Sequence, residues 1–310
     1  MIERLSLGCH NLTGGSSMWR SERLVRTALA LGIQRFDVAP SYGLGTAEAT
    51  LSRCLGRDRF NPDIEITTKF GIQPPSNGLL LSWLREPYRV ARSWLQTPLP
   101  DVMASKAGNL PISASERSHL LLPDEGLKRS MQRLRVDSLA CYLTHEKIAD
   151  GVMASLGDSV EQWLNSGQIR RFGCSGETAI ACDHLYRLGS YATIAQTSSI
   201  DAGLMRGKAS ELRHFGVMRI ASKLREALKD KRFQTLQISF NELSRTKDSF
   251  SVLHGLAASI VIFNMTFPER IVLVNASSGE RLEQLLLEID RKELLDWCKT
   301  ALAARLTLLM

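Results

Sequence analysis

Four polar residues in this chain could act together: Asp37, Tyr42, Lys69 and His145. Each lies at or just past the carboxyl end of an apolar run, namely Phe36-Asp37-Val38-Ala39, Asp63 to Lys69 (DIEITTK), and Ser138 to Thr144. An ammonium beside a phenol favours the phenolate and lowers the tyrosine pKa. A nearby carboxylate holds the lysine in place and offsets the cost of burying it. A phenol tuned in this way is a general acid or base, and a histidine can orient or polarise a carbonyl oxygen by hydrogen bonding. The set suits proton delivery to a carbonyl while another group supplies hydride, and a nicotinamide is the obvious source. Taken singly, each residue has an ordinary role: Asp37 in an Asx turn before Pro40, Tyr42 in packing, Lys69 on the surface, His145 in the core. Their shared position at strand ends is what argues for a site.

A fold must gather those ends on one side. The stretch Gln34 to Leu55 (QRFDVAPSYGLGTAEATLSRCL) predicts a short strand, a turn through Pro40 to Gly45, and a helix with Ala47, Leu51, Cys54 and Leu55 on its apolar face. The same alternation runs through the chain. Strands are expected at Leu5 to Cys9, Asp63 to Lys69, Ser138 to Thr144, Ile169 to Cys174, Ala192 to Gln196, Gly216 to Ala221 and Ile271 to Val274. Helices are expected at about Met18 to Leu31, Pro123 to Leu134, Val152 to Asn165, Thr178 to Leu188, Ser222 to Leu228, Phe250 to Asn264 and Ser278 to Ile289, with a helical tail from Arg291. About eight strands, each followed by a helix, predict an α/β fold of the (β/α)8 TIM-barrel type, in which side chains at the carboxyl ends of distant strands converge. An open doubly wound sheet is the alternative, but its GxGxxG turn is absent after the first strand, and no GxxxxGK[ST] loop occurs. Residues 1–310 are expected to form one barrel domain. The segment 70–122, rich in proline and carrying Trp83 and Trp94, is expected to be a loop-rich insertion after strand three with one helix near Trp83 to Leu95.

Composition narrows the class. The chain has 310 residues, 44% of them apolar, enough for one large core. Its net charge of +7 invites a nucleic-acid reading. The excess is concentrated between Arg206 and Lys247, however, and reads as a solvated face or as a neighbour of a phosphate-bearing cofactor. Nucleic acid is therefore not expected as a partner. The six cysteines are scattered without a CxxC pair, which predicts reduced core residues, no disulfides and no metal ligands. The N-terminus lacks a signal sequence, and the uncharged stretch Gly255 to Phe267 is too short to span a bilayer. A cytoplasmic protein with a small-molecule substrate and no membrane partner is expected.

Six segments resemble the aldo-keto reductases, in that family's order: FDVAPSYGLGTAEATLSRCLG, ITTKFG, SMQRLRVDSLACYLTHE, SGQIRRFGCSGE, the pair Ala195-Gln196, and VLVNASSGERLEQ. The resemblance implies an (α/β)8 barrel that binds NADPH, or less often NADH, without a Rossmann domain. It implies that Tyr42 is the general acid, that Lys69 lowers its pKa, that Asp37 anchors Lys69 and that His145 orients the substrate carbonyl. Ser175 and Gln196 match positions that bind the nicotinamide carboxamide. Ser277, Ser278 and Arg281 lie where the family binds the adenosine phosphate, and Arg281 suits a 2′-phosphate. NADP(H) is thus expected over NAD(H).

Three positions depart from the family pattern. Gly176 replaces an asparagine that follows the carboxamide-binding serine. Ala221-Ser222-Lys223-Leu224 is the match to the strand-seven segment whose aromatic residue stacks on the nicotinamide, with Ser222 as its cofactor contact. Leu285 replaces an asparagine that contacts adenine. These changes motivate the competing expectation of a non-catalytic or regulatory protein on the same fold.

Overall fold

The computed structural model describes residues 1–12, 17–74, 122–198, 209–215, 217–244, 252–304 and 306. Eight strands, β1 (Leu5–Gly8), β2 (Arg35–Asp37), β3 (Glu65–Phe70), β4 (Leu139–His145), β5 (Ile169–Ser175), β6 (Ile194–Thr197), β7 (Glu211–His214) and β8 (Ile271–Val274), close into a barrel. Every neighbouring pair is parallel, and β8 returns to pair with β1. The fold is the expected (β/α)8 barrel.

Strands buried on both faces usually read as continuous apolar runs. Here one face is polar. In β3, Ile66 and Phe70 join the apolar layer under the helices, while Glu65, Thr67 and Lys69 share the other face. Ten described helices surround the barrel: α1 (Met18–Ala30), α2 (Ala47–Leu55), α3 (Pro123–Leu134), α4 (Asp150–Asn165), α5 (Thr178–Leu188), α6 (Val217–Ala227), α7 (Gln234–Ser244), α8 (Val252–Thr266), α9 (Gly279–Ile289) and α10 (Lys292–Ala303). Helix α1 starts where the Ser17 hydroxyl accepts from the Arg20 amide (3.4 Å), and it buries Leu24, Val25 and Ala28. Helix α3 opens with Pro123 in its first turn, where no amide proton is needed. Helix α8 is apolar all round, burying Ala257, Ala258 and Ile260 to Phe263, because α6, α9 and α10 all pack on it.

The structure corrects the chain after β6. The seventh strand is Glu211–His214, not Gly216 to Ala221. Val217 to Ala227 is helical, with Val217, Ile220, Ala221 and Leu224 buried at helical spacing. Ser222 is therefore an exposed residue of α6 and not part of strand seven. Helix α7 was not expected, and the tail helix ends at Ala303. The expected helix near Trp83 to Leu95 lies outside the described residues, as does most of the segment 70–122.

Candidate active site

Asp37 is the last residue of β2, Lys69 the fifth of β3 and His145 the last of β4. The shared strand direction brings all three to the carboxyl face of the barrel. Tyr42 enters from the tight turn Tyr42–Gly45 that follows β2. Gly43, Leu44 and Gly45 in that turn all have positive φ (59°, 60° and 90°). A Cβ on Gly43 would lie 2.3 Å from the Leu12 carbonyl oxygen, so only glycine fits there. Leu44 has no such freedom, and its left-handed backbone costs about 1–2 kcal/mol. The Thr46 hydroxyl donates to the Gly43 carbonyl (2.7 Å) and ties the turn to α2.

Lys69 is the hub. It is fully buried, and its Nζ donates to Asp37 Oδ1 (2.5 Å), to Tyr42 Oη (3.2 Å) and to the Val38 carbonyl (3.4 Å). The ammonium also lies 4.8 Å from the centre of the Tyr42 ring. Burial works against the Lys69 charge, but the Asp37 carboxylate and the Tyr42 phenol outweigh it, and the ammonium pKa is raised above 10.5. The Tyr42 phenol is also raised, from 10.0. Burial is the leading cause. Lys69 pulls it down and Asp37 pushes it up, with Cys9 adding to the rise. The sequence-based expectation of a lowered phenol is thus reversed in the protein alone: Lys69 acts in the expected direction but is outweighed. At neutral pH the phenol keeps its proton.

His145 meets the Tyr42 ring edge-on, with centroids 5.7 Å apart. His10, just past β1, meets the same ring from another side at 4.9 Å. Burial, then the charge of Lys69, then His10 hold the His145 imidazole well below 6.5, so it is neutral at pH 7, with one nitrogen donating and one accepting. Ladder register extends the site sideways. His145 pairs with Ser175 on β5, and Ser175 pairs with Gln196 on β6. Asp37 Oδ2, His145 Nδ1 and Gln196 Oε1 are buried without a hydrogen-bond partner among the described residues. An acceptor on Gln196 level with the Ser175 hydroxyl suits a carboxamide, so these residues fit a nicotinamide.

Beyond β8, the Ser278 hydroxyl caps α9 by accepting from the Arg281 amide (3.4 Å), and Arg281 Nη1 donates to Ser277 Oγ (3.0 Å). The exposed Arg281 guanidinium at a helix N-terminus is a phosphate-compatible arrangement. Leu285 is buried within α9 and packs into the core. Gly176, just past β5, is buried, and its amide donates to the Gln196 carbonyl (3.1 Å).

Two further residues escaped the sequence reading. Phe215 directly follows β7, and its amide donates to the Thr197 carbonyl (3.0 Å), so the aromatic at the end of strand seven is Phe215. The misplaced strand hid it. Arg213 is fully buried among the strands. Its only sequence signal is the spacing of Glu211 and Arg213, which places both on one face of a strand.

Fold and site together define a (β/α)8 barrel protein with a buried lysine–aspartate pair set against a tyrosine at the carboxyl ends of its strands. The sequence profile of the Aldo/keto reductase family matches residues 4–197, and the chain belongs to this family of nicotinamide-dependent oxidoreductases. No curated protein matches its sequence. Among solved structures, it resembles an aldo-keto reductase from Klebsiella pneumoniae in complex with NADPH (16% identity, 96% of this chain and 90% of that chain covered, TM-score 0.57). It also resembles the holo form of an aldo-keto reductase from Bacillus halodurans (16% identity, 96% and 91% covered, TM-score 0.59). At such identities the likeness speaks for the fold. No described helix is long and apolar enough to cross a membrane.

Proposed function

We propose that the protein is an NAD(P)H-dependent reductase or dehydrogenase acting on a small aldehyde, ketone or sugar, with Tyr42 as general acid. The observation that carries this reading is the Lys69 ammonium, which donates to both Asp37 Oδ1 and Tyr42 Oη inside the barrel mouth. The nicotinamide, when bound, supplies hydride to the carbonyl carbon. Tyr42 gives its proton to the carbonyl oxygen, so that hydride and proton together make the alcohol, and the reverse reaction returns both. Lys69 stabilises the phenolate left on Tyr42, and Asp37 keeps Lys69 in place. Neutral His145 orients the carbonyl by hydrogen bonding. Ser175 and Gln196 hold the carboxamide, Phe215 takes the stacking role assigned to strand seven, and Ser277, Ser278 and Arg281 bind the adenosine phosphate, favouring NADPH over NADH. All six cysteines are free and five are buried, which supports a reducing, cytoplasmic setting.

Tyr42→Phe tests the reading. Turnover of a good carbonyl substrate falls by at least about a hundredfold while cofactor binding persists. Wild-type rates in that variant would remove Tyr42 from the chemistry. Gly176 and the buried Leu285 favour a second reading, a barrel that binds cofactor weakly and turns nothing over. Fluorescence titration with NADPH and NADH, with a panel of simple carbonyls, separates the two, because tight quenching by either cofactor or measurable turnover of any aldehyde counts against it.

A further inference from the structure

The barrel interior carries a chain of charges that rises from its amino-terminal end. Arg35 Nε donates to Glu65 Oε2 (3.0 Å), and Arg171 Nη2 donates to Glu65 Oε1 (3.1 Å). Arg171 Nη1 then donates to Glu211 Oε2 (2.6 Å), and Arg213 Nε donates to Glu211 Oε1 (2.6 Å). Arg213 is the upper end of this chain. Its side chain is wholly buried, and its two remaining arms reach across the barrel, Nη1 to Thr67 Oγ1 (2.8 Å) and Nη2 to Cys141 Sγ (3.2 Å).

Thr67 is the link to the site above. It is the register partner of Asp37 on β2, and it stands on the same face of β3 as Lys69, one pleat below. Through Thr67 the guanidinium is therefore anchored at the level of Asp37, one pleat below Lys69. Signs alternate along the whole column: Arg35, Glu65, Arg171, Glu211, Arg213, Asp37, Lys69. A buried carboxylate is costly unless cations and donors surround it. Lys69 satisfies Asp37 Oδ1, but Asp37 Oδ2 is buried without a partner among the described residues. A second cation, tied to the Asp37 register partner Thr67, answers that cost.

We infer that Arg213 is a positioning residue for the proton-transfer site, a fixed cation that holds the Asp37 carboxylate in place for Lys69 and adds positive charge toward the Tyr42 phenol. This rests on the oxidoreductase reading only for its purpose. The electrostatic link can be measured without turnover.

The ionisable groups around the phenol are Cys9 and His10 after β1, Asp37 on β2, Lys69 on β3 and His145 on β4. Around Arg213 they are Glu211, Arg171, Cys141 and Asp37. Burial works against the guanidinium charge, and Cys141, Glu211 and Asp37 outweigh it, so Arg213 stays charged at every accessible pH.

The test replaces Tyr42 with 3-fluorotyrosine in the full chain and follows its titration by 19F NMR, without cofactor or substrate. Arg213→Met removes the cation, and the titration is expected to move up by about one pH unit. Glu211→Gln keeps the guanidinium and removes its neighbouring anion, and the titration is expected to move down. Opposite shifts distinguish a charge effect from loosened packing, which would move both the same way. If Arg213→Met fails to fold, Glu211→Gln decides alone. An unmoved titration, or shifts of the same sign, overturns the inference. Absence of turnover with every cofactor and carbonyl would instead sink the oxidoreductase reading and leave the titration to judge Arg213.

Discussion

Ser175 and Gln196 are register partners on adjacent strands, at the same level of the barrel as His145. A carboxamide bound there would meet a hydroxyl and an amide whose Oε1 is otherwise unpartnered among the described residues. Gln196→Leu is expected to weaken NADPH binding by about tenfold, the value of one or two good hydrogen bonds. Tryptophan-fluorescence titration measures it, and an unchanged Kd would clear Gln196 of that contact.

The Tyr42 turn is held by backbone geometry. Gly43→Ala forces a Cβ against the Leu12 carbonyl oxygen and a side chain onto a left-handed backbone. Stability should fall by about 1–3 kcal/mol, and kcat should fall more than cofactor affinity, because the turn aims Tyr42. A variant with normal kcat would show that the turn tolerates the shift.

Asp37→Asn leaves the Lys69 ammonium buried without its anion. Breaking a buried pair from one side costs about 3–5 kcal/mol, so the urea midpoint should drop sharply. Turnover should fall by about a hundredfold or more as Lys69 loses its place. The raised Lys69 pKa adds a pH signature. Its contribution is complete below 10.5, the unfolded value, and is lost as pH climbs through the higher folded value. Wild-type stability should therefore decline above that pH, and Asp37→Asn should decline less. Parallel curves would mean that the pair contributes nothing pH-dependent.

Acid acts through the histidines. His145 is held well below 6.5 by burial and by Lys69, and His184, which meets Thr144 Oγ1 at 2.9 Å, is also lowered, chiefly by burial. For both, the unfolded chain takes up protons first as pH falls. Stability is complete above about 6.5 and is lost progressively below it, toward the depressed folded values. His145→Asn should flatten this slope in urea unfolding between mildly alkaline and mildly acidic pH. An unchanged slope would assign the acid sensitivity elsewhere.

Arg281→Leu tests the phosphate end of the proposed cofactor site. Affinity for NADPH should fall at least about tenfold, as expected for the loss of a charge-assisted contact, with NADH affinity unchanged. Equal losses for both cofactors would place Arg281 away from the 2′-phosphate.

Much of this was legible in the chain because the relevant signals are local. DIEITTK announces β3 by its β-branched run, and Asp37, Tyr42, Lys69 and His145 stand out as polar residues where apolar runs end. Strand β7 was not legible. Glu-Leu-Arg-His looks like surface, and its charges become tolerable inside only through Arg171, Thr67 and Cys141, partners that the closed barrel alone supplies. The neighbouring GVMRIA looked like a strand from composition, although Val217, Ile220, Ala221 and Leu224 follow helical spacing. The net direction of the Tyr42 shift was illegible for a related reason. The sequence shows that a lysine is near, but not how much water is excluded.

The pairing of β8 with β1 has a consequence for biosynthesis. A ribosome must release Val274 before Leu7 finds its partner, so the growing chain carries a sheet with open edges until β8 has emerged. The ring closes only at that point. Truncation anywhere before β8 should therefore yield a sticky, aggregating product rather than a smaller folded one.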